Sequence, residues 1–407
     1  MPGDTLPTTC DTLVIGAGPA GSACAQALAA AGRDVLLVDQ QTFPRDKVCG
    51  DGLIPDAHAA LRRLGVHDEV MAAARQVSHV RCVAPRGGLV DVPGTLAVLP
   101  RRRLDHILVR AAERAGARLV APLRFEAPLL EGERVAGARF KAGEGRHEIR
   151  ARWLVLATGA VPQALIAAGL CERRTPSGVA LRGYVKNDAM VGRITQLQMM
   201  WHPRLKGGYG WIFPAPDGLF NIGAGLTGSH RTERGGGRLG MQDVNLRGMF
   251  DAFCEVYAPA RELMAGGQLQ GEVKGAPLRC SLEGARWSRP GLLVTGEAAG
   301  STYAFSGEGI GKAMETGLLA AGALNAAPAD DAAVRARYEA ALRGLKPKFD
   351  LYEKAAHVNH RPWLADIVIW RARKSASILR RMSGVLEETQ NPGRLLSWRG
   401  ITKLMFE

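Results

Sequence analysis

Gly16, Gly18 and Gly21 stand in GAGPAG, and Asp39 follows 18 residues beyond the last of them. This spacing can hold a dinucleotide. Gly16 permits a tight turn off a strand, Gly18 lets the backbone approach a pyrophosphate, and Gly21 lets helix and strand pack closely. The helix that opens here presents free N–H groups and a positive dipole end to phosphates. Asp39 lies at the distance where an acid accepts from a ribose 2′-hydroxyl. The motif alone does not separate FAD from NAD. A structural β-α-β unit without a ligand is the bland alternative.

Cys49, in KVCGDGL, has polar and turn-forming flanks: Lys47 on one side, Gly50-Asp51-Gly52 on the other. Such a thiol can donate a proton, shape a pocket, or be a semi-buried cysteine with no further role. Tyr209, Trp211 and Phe213 alternate, so their side chains share one face of a strand. They form either a packed aromatic strand or an apolar wall for a long hydrophobic molecule. Cys10, Cys24, Cys82, Cys171, Cys254 and Cys280 lack such a context and read as structural. No CxxC pair, disulfide framework or metal-ligand spacing occurs.

The elements that must position these residues are legible in outline. Val14-Ile15 leads into the glycine turn, an alanine-rich helix follows, and Val35 to Val38 is the second strand. Leu104, Ile107, Leu108, Ala111 and Ala112 predict a helix over 102–116. RWLVLATGA reads as a buried parallel strand ending in a glycine turn. VALRGYV, RITQLQMMW, YGWIFPAP and LFNIGAGL suggest an antiparallel sheet, and 227–242 reads as an exposed polar loop. Residues 291–321 return to the character of the first domain, which is therefore discontinuous in sequence.

The 407 residues carry a formal charge of +14 and are 46% hydrophobic. Positions 341–407 hold 13 Lys/Arg against 6 Asp/Glu, half of the excess, with Trp363, Trp370 and Trp398 among them. This composition suits an anionic membrane surface or an acidic carrier protein, and equally a solvated helical cap. No run of 18 apolar residues predicts a transmembrane helix, and the N-terminus shows no secretion signal. The expected location is cytoplasmic, with peripheral membrane contact as an option. No nucleic-acid partner is expected.

Four segments occur in a telling order: GAGPAG at 16–21, ATG at 157–159, GEAAG at 296–300 and GEGIGKAMETG at 307–317. This order resembles the FAD-dependent oxidoreductases of the aromatic-hydroxylase-like superfamily. Two further segments resemble the geranylgeranyl reductase family: KVCGDGL at 47–53, and Tyr209-x-Trp211-x-Phe213-Pro214 followed by Gly223-x-Gly225. The resemblance runs from about residue 11 to about 320. It implies an α/β fold with a discontinuous Rossmann-like FAD-binding domain (1–76, 100–165, 275–330). The patterning of the chain itself adds an antiparallel-sheet substrate domain (77–99, 166–274) and, beyond the resemblance, a helical basic C-terminal segment (331–407).

The resemblance also implies roles. Gly16, Gly18, Gly21 and Asp39 would hold the ADP half of FAD. Arg101, of the R-x-x-L-D pattern with Leu104 and Asp105, would face the cofactor. Gly296 and Glu297 would meet the ribityl-pyrophosphate region, with Glu297 in place of the usual aspartate. Gly307, Gly309 and Ile310 would open a helix toward the flavin O2 edge, where its positive end stabilises anionic reduced flavin. Cys49 would face the flavin, and Tyr209, Trp211 and Phe213 would line an isoprenoid tunnel. The implied activity is reduction of carbon–carbon double bonds in an isoprenoid or similar hydrophobic, free or tethered, substrate.

The chain departs from the pattern at Thr158-Gly159, where hydroxylases have Asp-Gly, and it has no second strand-GxGxxG-helix unit. The electron donor is therefore open between NADPH and a separate reductase. Two rivals stand. One is an FAD-dependent monooxygenase or halogenase acting on an aromatic, carrier-bound or peptide substrate. The halogenase WxWxIP motif aligns with YGWIFP but fails at two positions. The other is a flavin protein that senses or scaffolds without turnover.

Overall fold

A computed structural model of the chain describes residues 6–205, 207–228 and 245–390. Most of the loop expected over 227–242, and the tail beyond 390 with Trp398, lie outside the described residues. Two sheets organise the rest. In the first, five strands run parallel in the spatial order Leu292–Val294, Gly145–Leu156, Thr9–Ile15, Val35–Val38 and Arg118–Val120. Apart from the partly buried edge strand Arg118–Val120, most of their apolar residues are buried on both faces, as expected of a parallel sheet covered by helices. The strands Arg124–Glu131 and Arg134–Ala142 extend this sheet antiparallel to Gly145–Leu156.

The helices Pro19–Ala30 and Ile310–Ala326 cross on one face of the parallel sheet. Gly317 permits this approach: a Cβ there would stand 2.2 Å from the Ala20 carbonyl oxygen. The return of the chain at residue 291 is thus built into the same core as the first glycine turn, with Cys24, Leu28, Ala320 and Leu324 packed together.

The second sheet has nine strands and is antiparallel, except where Leu197–Met200 runs parallel to Arg75–Val83. Gly208–Pro214 lies between Leu197–Met200 and Leu219–Thr227. One face packs on the helix Leu246–Val256 through Phe250 and Phe253. The helices Trp363–Ala372 and Ala376–Leu386 cover the region of Arg75–Val83 and Leu89–Val98. They reach it from the 25-residue helix Asp331–Ala355. All seven cysteines are free.

Candidate active site

The first strand ends at Ile15, and Gly16 turns the chain with φ +99°. A Cβ on Gly21 would lie 1.8 Å from the Gly16 carbonyl oxygen, so this glycine is required for the helix to leave the turn. Gly18 differs. A Cβ there would meet only two guanidinium tips, Arg101 at 3.6 Å and Arg45 at 3.7 Å. The space above Gly18 is therefore open and flanked by two cations. Asp39 Oδ2 accepts from the Ala17 amide at 2.9 Å, and Oδ1 accepts from Gln41 N at 3.0 Å. The acid thus ties the end of the second strand to the glycine turn.

Asp105 organises the two arginines. It is fully buried and takes a two-pronged contact from Arg101, Nε to Oδ1 at 2.6 Å and Nη2 to Oδ2 at 2.8 Å. Arg45 Nη1 donates to the same Oδ2 at 3.0 Å, and its Nη2 lies 3.5 Å from Asp39. Arg45 carries no motif, and its partner is 60 residues away, so no sequence signal marked it.

The turn that holds Cys49 lies against the aromatic strand. A Cβ on Gly50 or Gly52 would touch Phe213 Cε2, at 3.4 and 3.5 Å. Asp51, with φ +64°, is fully buried beneath. Its Oδ2 accepts from Asn221 Nδ2 at 2.8 Å and from the Tyr184 hydroxyl, and its Oδ1 accepts from Arg101 N at 3.3 Å. Asn221 Nδ2 also donates to the Cys49 carbonyl at 2.7 Å. Arg182 caps the turn from the other side, donating to Asp46 at 2.6 Å and to the Lys47 carbonyl at 3.1 Å. Burial pushes the Cys49 thiol up, while the Arg101 guanidinium beside it pulls the other way. Burial also pushes the Asp51 carboxyl up to about 6, against the hydrogen bonds from Tyr184 and Asn221.

Tyr209, Trp211 and Phe213 form a ladder with ring centroids 6.1 and 6.4 Å apart. Trp201 extends it at 6.1 Å from Tyr209. Gly223 makes room for the indole, because a Cβ there would meet Trp211 Cζ2 at 2.2 Å. The Tyr209 hydroxyl donates to the Ser306 carbonyl, which fixes the ladder to the loop before the helix Ile310–Ala326. Gly309 stands at that helix's N-cap, and Thr302 fills the place a Cβ would take. Thr302 Oγ1 donates to Glu297 Oε1 at 3.3 Å.

One cavity of about 1970 Å³ joins these parts. Gly16, Gly18, Asp39 and Arg101 line one end, Cys49 and the Glu297 and Gly307 to Ile310 segments the middle, and Tyr209, Trp211 and Phe213 the far wall. Gly21 and Gly296 are not at its surface. Gly21 packs on Gly16, and Gly296 packs on Ala20 and donates from its amide to Thr316. Thr158 also lines the cavity, with its hydroxyl buried and unpartnered.

Behind the helix start lies a cluster that no motif announced. Lys312 Nζ is 3.7 Å from Asp56, 2.7 Å from Glu315 and 3.0 Å from Glu388. Lys348 also bonds Glu388. Both Asp56 oxygens are buried without a hydrogen-bond partner. Burial pushes the Asp56 carboxyl up to about 7, Lys312 works against this, and Glu388 adds to it. Burial first, and Asp56 second, push Glu308 up to about 8.

A cleft that begins at a glycine turn, is floored by a helix N-terminus and ends in an aromatic chamber has the shape to take an elongated dinucleotide. The protein is an FAD-dependent oxidoreductase: a family model for an FAD binding domain matches residues 9–193. It is 33% identical to a menaquinone reductase of Mycobacterium tuberculosis over 336 residues, 76% of this chain and 75% of the relative. It is 30% identical to digeranylgeranylglycerophospholipid reductase 1 of Methanopyrus kandleri over 314 residues, 76% of this chain and 79% of the relative. The chain belongs to the geranylgeranyl reductase family. Its fold is shared with a geranylgeranyl bacteriochlorophyll reductase-like protein from Thermoplasma acidophilum, with TM-score 0.70, 22% identity and coverage of 99% and 97% of the two chains. A flavin-dependent brominase has the same fold, with TM-score 0.72, 18% identity and 98% coverage of each chain.

Proposed function

We propose that this protein reduces carbon–carbon double bonds of an isoprenoid or similar hydrophobic molecule. The observation that carries the proposal is the stacking of the Cys49 turn on the Trp211–Phe213 ladder within the cavity that begins at Gly18. Bound and reduced, FAD supplies the hydride. Gly16, Gly18 and Asp39 would hold its ADP half, with Gly21 packing the helix against the turn, and Arg45 and Arg101 would flank the pyrophosphate. Glu297 would support the linker, with Gly296 packed behind it on Ala20, and the helix start at Gly307, Gly309 and Ile310 would favour negative charge at the ring.

An isolated alkene has no carbonyl to take up charge, so its site must be dry, oriented and able to give a proton. Tyr209, Trp211 and Phe213 exclude water and align the chain. The raised Cys49 thiol stays protonated at neutral pH and gives its proton to the second carbon, and the thiolate then recovers one from solvent. Asp51, Asn221 and Tyr184 hold the turn that aims it.

The test is anaerobic. The flavin is reduced with dithionite and mixed with a polyprenyl alkene or with alkene-free detergent. Reoxidation that depends on the alkene supports the reading. No response to any alkene would overturn it, and an oxygenated or halogenated product formed once oxygen is admitted would replace it with monooxygenase or halogenase chemistry.

A further inference from the structure

The helix Trp363–Ala372 has two unlike faces. Ala365, Val368 and Ile369 are buried and wall the chamber that contains Tyr209 and Trp211. Trp363 and Trp370, seven residues apart and so about two turns along one face, stand 46% and 50% exposed. Single exposed apolar residues are ordinary. Here two indoles lie within a basic field. From Arg361 to Leu386 the sequence holds six cations and one acid, Asp366. Asp366 already accepts from the Arg86 amide at 3.0 Å. Lys374 and Arg371 pack on the Trp370 ring, at 4.5 and 5.6 Å. The turn at Gly88, which abuts Ile369, brings Arg86 and the 43% exposed Leu89 alongside.

Indoles favour the headgroup depth of a bilayer, and cations beside them are drawn to anionic lipid. No helix among the described residues is long and apolar enough to cross a membrane, so such a contact would be interfacial. We propose that the outer face of the helix Trp363–Ala372, through Trp363, Trp370 and the surrounding Arg and Lys side chains, docks on an anionic lipid surface. The helix that roofs the apolar chamber is then also the membrane contact. This inference rests on the reading of a lipid-like substrate, which would reach the chamber from that surface.

The experiment uses the full-length holoprotein and substrate-free vesicles, either phosphatidylglycerol mixed equally with phosphatidylcholine or phosphatidylcholine alone. Flotation should show binding to the anionic vesicles, weakened by salt, with little binding to the neutral ones. Trp363→Ser/Trp370→Ser should keep its FAD content and melting temperature and bind at least about tenfold more weakly. Equal binding by this variant, or no binding of the parent to anionic vesicles, would overturn the proposal. Binding to an acidic protein but not to vesicles would likewise overturn it. With saturated acyl chains the vesicles contain no alkene, so failure of alkene reduction in detergent would sink the proposed reaction and leave this docking result intact.

Discussion

Trp211 and Asn221 are joined across neighbouring strands, indole Nε1 to amide Oδ1 at 2.9 Å. The other end of the same amide holds the Cys49 carbonyl and the Asp51 carboxylate. The aromatic wall and the cysteine turn are therefore one hydrogen-bonded unit. Trp211→Phe should keep the apolar wall and FAD, yet loosen the cysteine turn. The lost bond and the stranded buried oxygen should cost roughly 1–3 kcal/mol. Denaturant unfolding with FAD titration reads this. Unchanged stability in Trp211→Phe would show that the indole N–H does no structural work.

Gly18 and Gly21 separate cofactor space from packing. Gly18→Val should fold, because its Cβ has only ordinary contacts, but lose FAD. Gly21→Val should fail to fold, since its Cβ would overlap the Gly16 carbonyl. Absorbance at the flavin band and circular dichroism distinguish the two losses. Full FAD occupancy in Gly18→Val would remove the pyrophosphate assignment.

Cys49→Ala should leave FAD content and melting temperature nearly unchanged. Alkene-driven reoxidation should slow about 100- to 10,000-fold, the range for a general acid. Stopped-flow reoxidation measures it. An unaltered rate would return Cys49 to a packing role.

Asp56 and Glu308 should make stability fall with rising pH. Their folded values, about 7 and about 8, lie above the ordinary carboxylate value, so the native state keeps protons that the unfolded chain releases. The stabilisation is complete below about pH 4 and is lost as pH rises through the two folded values. Asp56→Asn and Glu308→Gln should flatten the slope of denaturation free energy between about pH 4 and about pH 8. The same slope in the double variant would place the effect elsewhere.

The glycine turn and Asp39 were legible because a β-α-β unit around a pyrophosphate tolerates few residue types at fixed spacings. The second motif was legible for a reason the structure makes physical: Gly223 is the space into which Trp211 lies. Gly296 and Gly21 carry the same sequence signal as Gly18 but serve packing, a difference that spacing cannot express. Arg45, Tyr184, Arg182 and Asn221 reach the site by contacts of 60 to 172 residues' separation, so no local pattern marks them. The acids around Lys312 come from positions 56, 308, 315 and 388, and only folding brings them together.

The most direct measurement is the mass of the product formed when the reduced protein meets one equivalent of a polyprenyl alkene. Reduction predicts a product that has gained two hydrogens, formed without oxygen and formed far more slowly by Cys49→Ala. A product that instead gains an oxygen or a halogen, and forms only when oxygen is admitted, would contradict the account.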